Sequence, residues 1–145
     1  MSNPLGQQVA SAFGHALETM AFISPEPIEL VSEPPRDAVI VQLDFTGGAM
    51  AGIDLLVDRT FGHVIAANIM GEEDLGFAGA DVLLELINVT AGTFLRQSQC
   101  GSTEMNVPRI APFAAGEWTS FISAGHTSFF DANGNTVAVR VRGEK

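Results

Sequence analysis

The sequence predicts an α+β fold in which a mainly antiparallel sheet is covered by packed helices. Three observations carry that prediction. Two stretches alternate apolar and polar residues about a turn, at Gly47-Gly48 and at Asn133-Gly134, as β-hairpins do. Three others repeat apolar residues three and four apart, the spacing of one helix face. The order of these segments is a helix, a hairpin, two helices and then strands. With 145 residues and 46% hydrophobic content the chain is read as a single domain, 1–145, with ample material for a core.

In residues 5–23, Val9, Ala12, Phe13, Ala16, Leu17, Met20 and Ala21 form an amphipathic helix face. Ser24-Pro25-Glu26-Pro27 ends that helix, since proline lacks a backbone donor and pushes its predecessor out of the helical region. Residues 28–31 read as a short extended segment, an edge strand or connector, before Glu33-Pro34-Pro35. In residues 38–46, Val39, Val41, Leu43 and Phe45 alternate with Gln42, Asp44 and Thr46, giving a strand with one buried face. After Gly47-Gly48, residues 49–57 repeat the pattern with Ala51, Ile53, Leu55 and Val57. Asp58 stands where an N-cap belongs, residues 59–70 carry Phe61, Val64, Ile65 and Ile69 at helical spacing, and Gly71 can close the helix.

Glu72, Glu73 and Asp74 read as a solvated acidic loop, and Gly76 and Gly79 as turn glycines. A third, more apolar helix is expected over residues 80–97, fraying near 99–101. Residues 105–110 look extended around Pro108. Residues 117–130, with Trp118, Phe121, Ile122, Phe129 and Phe130, read as a long strand interrupted near Gly125. Asn133-Gly134 has the type I′ turn pattern, and residues 136–142 alternate Val137, Val139 and Val141 against Arg140 and Arg142.

A net charge of −10 argues against nucleic-acid phosphates and anionic membrane surfaces as partners, and favours a basic patch on a protein. Apolar runs fall short of the roughly 20 residues that cross a bilayer, so no membrane insertion is expected. The single cysteine, Cys100, allows no internal disulfide, and the opening residues lack the character of a signal peptide. The chain is therefore expected in the cytoplasm.

Familiar chemistry is missing from the motifs. There is no GxSxG elbow, no GxxxxGK loop and no GxGxxG. Asp131 to Asn135 resembles the start of a calcium loop, but Thr136 and Arg142 occupy the places that need glycine and glutamate. His15, His63 and His126 lack ligand spacing. No cofactor or metal of the chain's own is expected, so a substrate would have to bring most of the reactivity.

The helix over 80–97 concentrates what polar chemistry there is. At 100° per residue Asp81, Glu85, Asn88 and Gly92 fall within a sector of roughly 60°, with Arg96 at its margin, while apolar residues occupy the rest. Those side chains can reach one object together. Glycine in a helix interior is unfavourable by about 0.5–1 kcal/mol relative to alanine; on the open stripe Gly92 would let a foreign surface approach the backbone. A carboxamide can hold a water by donating to it and accepting from it, and a carboxylate can pair with a lysine. That equipment would not hydrolyse a stable ester unaided, but it could serve an acyl phosphate whose barrier is mostly orientation and electrostatics.

Asp81-x-x-x-Glu85-x-x-Asn88 followed by Ala91-Gly92 resembles the signature of the CheC/CheX/FliY family of chemotaxis phosphatases. The likeness extends to Leu17-Glu18-Thr19-Met20 in the first helix, Ile69-Met70-Gly71-Glu72 before the signature, and Asn106-Val107-Pro108-Arg109-Ile110 after it. One signature helix suits a CheX-like member. The resemblance implies that Glu85 and Asn88 are catalytic: Glu85 forms a salt bridge to the phosphoryl-contacting lysine of a phosphorylated CheY-like receiver domain, and Asn88 orients the hydrolytic water. Asp81, Gly92 and Arg96 would contact that partner, Mg²⁺ would belong to the partner, and a homodimer paired through its sheets is implied. The spacing to the following proline departs from the family's, which falls between Pro108 and Pro112. Rival readings are a non-catalytic receiver-binding or flagellar-switch-like module, and a structural dimer with its apolar helices facing each other.

Overall fold

Alternating burial along two central strands decides where the core lies. A computed structural model of the chain describes residues 4–29, 33–48, 50–70, 75–97, 103–123 and 126–144. Strands β2 (Ala38–Thr46) and β3 (Met50–Asp58) pair antiparallel, with Val39 opposite Val57, Val41 opposite Leu55 and Leu43 opposite Ile53. All six side chains are buried on one face. β7 (Asn135–Glu144) continues that face beyond β3 by setting Val139 against Leu55 and Val141 against Ile53.

β6 (His126–Ala132) pairs with β7, and β1 (Glu26–Ile28) forms the edge beside β6. At the other edge β4 (Glu104–Met105) and β5 (Arg109–Pro112) both pair with β2. Among the described residues this is a seven-stranded sheet, β1-β6-β7-β3-β2 followed by β4 and β5, with every ladder antiparallel.

Helices α1 (Pro4–Ala21), α2 (Arg59–Met70) and α3 (Leu75–Gln97) cover the valine-rich face. α1 inserts Val9, Ala12, Phe13, Ala16 and Leu17, the face its periodicity predicts, and Phe13 meets Phe130 of β6 at a ring separation of 5.4 Å. Phe94 of α3 stacks over Phe45 of β2 at 6.5 Å. Asp58 caps α2 by accepting from the Thr60 amide at 2.9 Å and the Thr60 hydroxyl at 2.8 Å. Burial pushes the Asp58 carboxyl upward, but those two bonds, with a third from the Asp37 amide, outweigh it and leave its pKa lowered.

The opposite sheet face is covered in part by α4 (Trp118–Ser123), which follows a short 3₁₀ turn, Ala115–Glu117. Here the structure corrects the strand expected from residue 117. Trp118, Phe121 and Ile122 stand three and four apart, so a helix presents all three to Leu56, Phe129 and Ala138, where a strand would split them between faces. Only the later part of that stretch is a strand, β6.

Gly76 and Gly79 are likewise not turn glycines, because α3 starts at Leu75 rather than residue 80. A Cβ on Gly62 of α2 would lie 2.4 Å from the Gly79 carbonyl oxygen, so these two glycines let the helices touch backbone to backbone. The extended stretch at 105–110 resolves into β4 and β5 on either side of residues 106–108, and β1, Glu26–Ile28, begins two residues before the segment expected at 28–31, whose residues 30 and 31 lie outside the described residues. The helix closure at Gly71, the acidic loop at 72–74, the fraying at 99–101, Cys100 and the break at Gly125 lie outside the described residues. Asn133 and Gly134 take left-handed φ values of 53° and 85°, as a type I′ turn requires.

Candidate functional site

α3 is seated on its sheet by Leu83, Leu86, Ile87, Ala91 and Phe94, all buried, with Thr90 and Thr93 also turned inward. Thr90 does not interrupt the apolar contact, because its hydroxyl donates to the Leu86 carbonyl one turn back at 2.8 Å. The residues set on the far side of the helix axis are those of the predicted stripe. Asp81, Glu85 and Arg96 are exposed, and Asn88 and Gly92 are half-buried between the shoulders formed by Val82, Leu84, Val89 and Leu95. From Asp81 to Arg96 the stripe runs about 22 Å along the axis, with Glu85 and Asn88 one turn apart near its middle.

No hydrogen bond or ion pair joins Asp81, Glu85 or Asn88 to another side chain among the described residues. Arg96 does not reach back to the carboxylates. Its Nη2 donates to Thr93 Oγ1 at 3.3 Å and its Nη1 lies over Gly92, 3.5 Å from where a Cβ would stand. That distance is ordinary contact, so no neighbour among the described residues demands glycine at 92, in contrast to Gly62. The structure thus brings all five predicted residues to one surface, with Arg96 folded toward its own helix.

The other face of the sheet holds a charge cluster that single-strand patterns did not reveal. Asp54 is fully buried and accepts from Gln42 Nε2 at 3.2 Å, Arg142 Nε at 3.0 Å and the Arg140 guanidinium. Arg140 also donates to the Phe121 carbonyl at 3.2 Å and lies over the Phe121 ring, 4.1 Å from its centroid. Asp44 bonds Arg142 at 2.6 Å and Arg109 at 2.8 Å. The Arg109 hydrogen bond leads in holding the Asp44 carboxyl below its usual range, against the upward push of burial. The signal was present only as register: Gln42, Asp54 and Arg140 are neighbours across three strands. A shallow cleft of about 510 Å³ opens beside this cluster, lined by Gln42, Phe113, Phe121 and Arg140. The cluster binds the strands of its own sheet and is remote from the α3 stripe. Among the described residues no group of three His, Cys, Asp or Glu could hold a metal ion, and no helix is long and apolar enough to cross a membrane.

Solved structures share this architecture from end to end. CheX of Vibrio vulnificus superposes with a TM-score of 0.73 over 97% of this chain and 96% of its own, at 15% identity. The fold is that of CheX. In Borrelia burgdorferi, CheX solved in a complex with CheY, BeF₃ and Mg²⁺ gives a TM-score of 0.71 over 96% of this chain and 97% of its own, at 17% identity. A CheC-like protein of a Shewanella species gives 0.69, with 97% of each chain covered, at 18% identity. No family model matches the sequence, and no curated protein does. The CheX-like α+β architecture expected from the sequence is therefore the one observed, while identities this low leave function to the residues themselves.

Proposed function

We propose that this protein hydrolyses the aspartyl phosphate of a CheY-like receiver domain, with α3 serving as both docking surface and catalytic surface. The observation that carries this reading is the pairing of an exposed Glu85 with a half-buried Asn88, one turn apart on the outer face and unpartnered among the described residues, on a helix otherwise seated in the core. The CheX and CheY complex from Borrelia burgdorferi supports a receiver as the partner.

In the docked state the Glu85 carboxylate pairs with the receiver's phosphoryl-contacting lysine and sets the register of the two surfaces. The Asn88 carboxamide accepts from one water and donates to it, aiming a lone pair at phosphorus opposite the aspartyl oxygen. As the new P–O bond forms, the bond to the aspartyl carboxyl breaks and its electrons return to that carboxylate. The water's proton leaves with inorganic phosphate. Mg²⁺ would belong to the receiver, whose own charges stabilise the transferring group. Asp81 and Arg96 border the contact, and Gly92 lets the receiver's backbone come close. A homodimer paired through the sheets, leaving the α3 stripes free, and a cytoplasmic setting complete the proposal; hydrodynamic size would check the first.

The test follows the decay of a phosphorylated receiver with and without the protein. Wild type should accelerate decay. Asn88→Ala should lose roughly 10²-fold or more of that acceleration while still binding, and Glu85→Ala should weaken binding as well. Decay unchanged by wild type would overturn the proposal; binding without acceleration would leave a receiver-binding, flagellar-switch-like module.

A further inference from the structure

The turn that leaves α1 is built around a residue that nothing inside the chain uses. Phe22 follows the last residue of α1 with φ of 59° and is 81% exposed. Its amide donates to the Glu18 carbonyl at 3.1 Å and so closes the helix. This is the left-handed C-terminal position where glycine is usual and a bulky side chain is an outlier. The backbone on either side is fixed. The Ala21 carbonyl accepts from Asn68 Nδ2 at 3.0 Å, Ile23 is buried, and Pro25 packs beside Gly14, 3.8 Å from where a Cβ there would stand. The chain reverses at Phe22 and holds the ring outward. No aromatic contact, hydrogen bond or ion pair involves Phe22 apart from that helix-closing amide among the described residues.

Four large apolar side chains are well exposed among the described residues. Ile28 lies on the edge strand β1, and Met105 and Val107 lie on or beside β4 at the opposite edge of the sheet. Phe22 alone belongs to the helical layer. Asn68, which holds the preceding carbonyl, is in the last turn of α2, the helix that leads through residues 71–74 into α3. A stable protein contact covers about 800 Å² on each partner, more than one helical stripe offers, so a receiver docked on α3 must reach neighbouring elements. Such contacts are commonly anchored by an aromatic side chain set among polar groups.

We propose that Phe22 is an apolar anchor for the docked receiver domain, outside the catalytic pair and on the helix layer that presents it. This rests on the reading of α3 as the receiver's dock. A strained backbone and an exposed ring persist together because the partner, not this chain, covers the ring.

Phe22→Gly separates the two properties, since it relaxes the backbone and removes the ring; Phe22→Ala removes the ring and keeps the left-handed strain. With a phosphorylated receiver as substrate, both variants should raise KM roughly fivefold or more and leave kcat near wild type. The melting temperature of Phe22→Gly should be at or above that of wild type, and above that of Phe22→Ala. Unchanged KM in both variants, with Asn88→Ala still inactive, would overturn the anchor and leave the phosphatase reading standing. Loss of self-association with unchanged KM would also overturn it, by assigning the ring to a second copy of this chain. Absence of any wild-type acceleration would remove the reading on which the anchor rests.

Discussion

Gly92→Ala should make the protein more stable and, on the proposed reading, slow the hydrolysis it catalyses. Alanine is favoured over glycine within a helix by about 0.8–1.0 kcal/mol, and Gly92 lies well inside α3. The opposing effect is a clash of the new methyl, and the structure shows no severe one: among the described residues the Cβ would meet only Arg96 Nη1, at 3.5 Å, the end of a flexible side chain on an exposed residue. The propensity gain therefore wins, and the melting temperature should rise by about 3 °C for a domain of this size. The same methyl stands on the surface where the receiver's backbone would approach, one turn from Asn88, so the acceleration of phosphoreceiver decay should fall even though the fold is firmer. Thermal melts and a phosphate-release assay on the same preparation read both effects. A lowered melting temperature would show that the stripe is covered at Gly92 within the chain. A raised one with full activity would show that no partner approaches the backbone there.

Gly62→Ala makes the opposite prediction in the neighbouring helix: its Cβ would lie 2.4 Å from the Gly79 oxygen, a backbone atom that cannot swing aside. Overpacking of about 1–3 kcal/mol should outweigh the propensity gain, lowering the melting temperature by about 3 °C or more and reducing activity as α3 is displaced. Asp54→Asn should cost about 3 kcal/mol, because it removes the buried counter-charge of Arg140 and leaves Arg142 with Asp44 alone; urea unfolding measures it, and a change under 1 kcal/mol would refute the network's structural role. Asp44, whose carboxyl the Arg109 hydrogen bond holds below its usual range in the folded state, binds a proton more readily when unfolded, so its contribution is present above about pH 4 and lost as pH falls through the folded pKa. The stability gap between wild type and Asp44→Asn should accordingly be constant from pH 5 to 7 and close on acidification below about pH 4; a gap that widens there would reverse the sign.

The stripe on α3 was legible because helical geometry is rigid: once residues 81 to 96 are helical, Asp81, Glu85, Asn88 and Gly92 must share a side. The hairpins were legible for a similar reason, since Asn133-Gly134 supplies the two left-handed residues its turn requires. What stayed hidden depends on partners distant in sequence. Gly79 looks like a turn residue until Gly62 is seen against it. Asp54 looks like any polar residue in a strand until register sets Gln42 and Arg140 on either side. Trp118, Phe121 and Ile122 suit a strand or a helix equally by composition, and the second apolar face of the sheet decides between them. Phe22 gives no local sign of its left-handed backbone, because Ala21-Phe22-Ile23 contains no glycine or asparagine.

The fold and the candidate activity make separable demands. A lone carboxamide can steer water only if its own position is fixed to a fraction of an ångström, and a side chain on a loop would not satisfy that. α3 supplies the fixity: Leu83, Leu86, Ile87, Ala91 and Phe94 lock the helix from beneath, and the Gly62–Gly79 contact holds α2 against it. The same scaffold with other side chains at 85 and 88 would keep its shape and could keep its dock while losing hydrolysis. Overlap with CheX along nearly the whole chain therefore bears on the rigidity available to the site, whereas the choice between phosphatase and receiver-binding module rests on Glu85 and Asn88. A variant that exchanges only Asn88 for alanine addresses that choice without disturbing the scaffold, since the side chain it shortens has no partner among the described residues to lose.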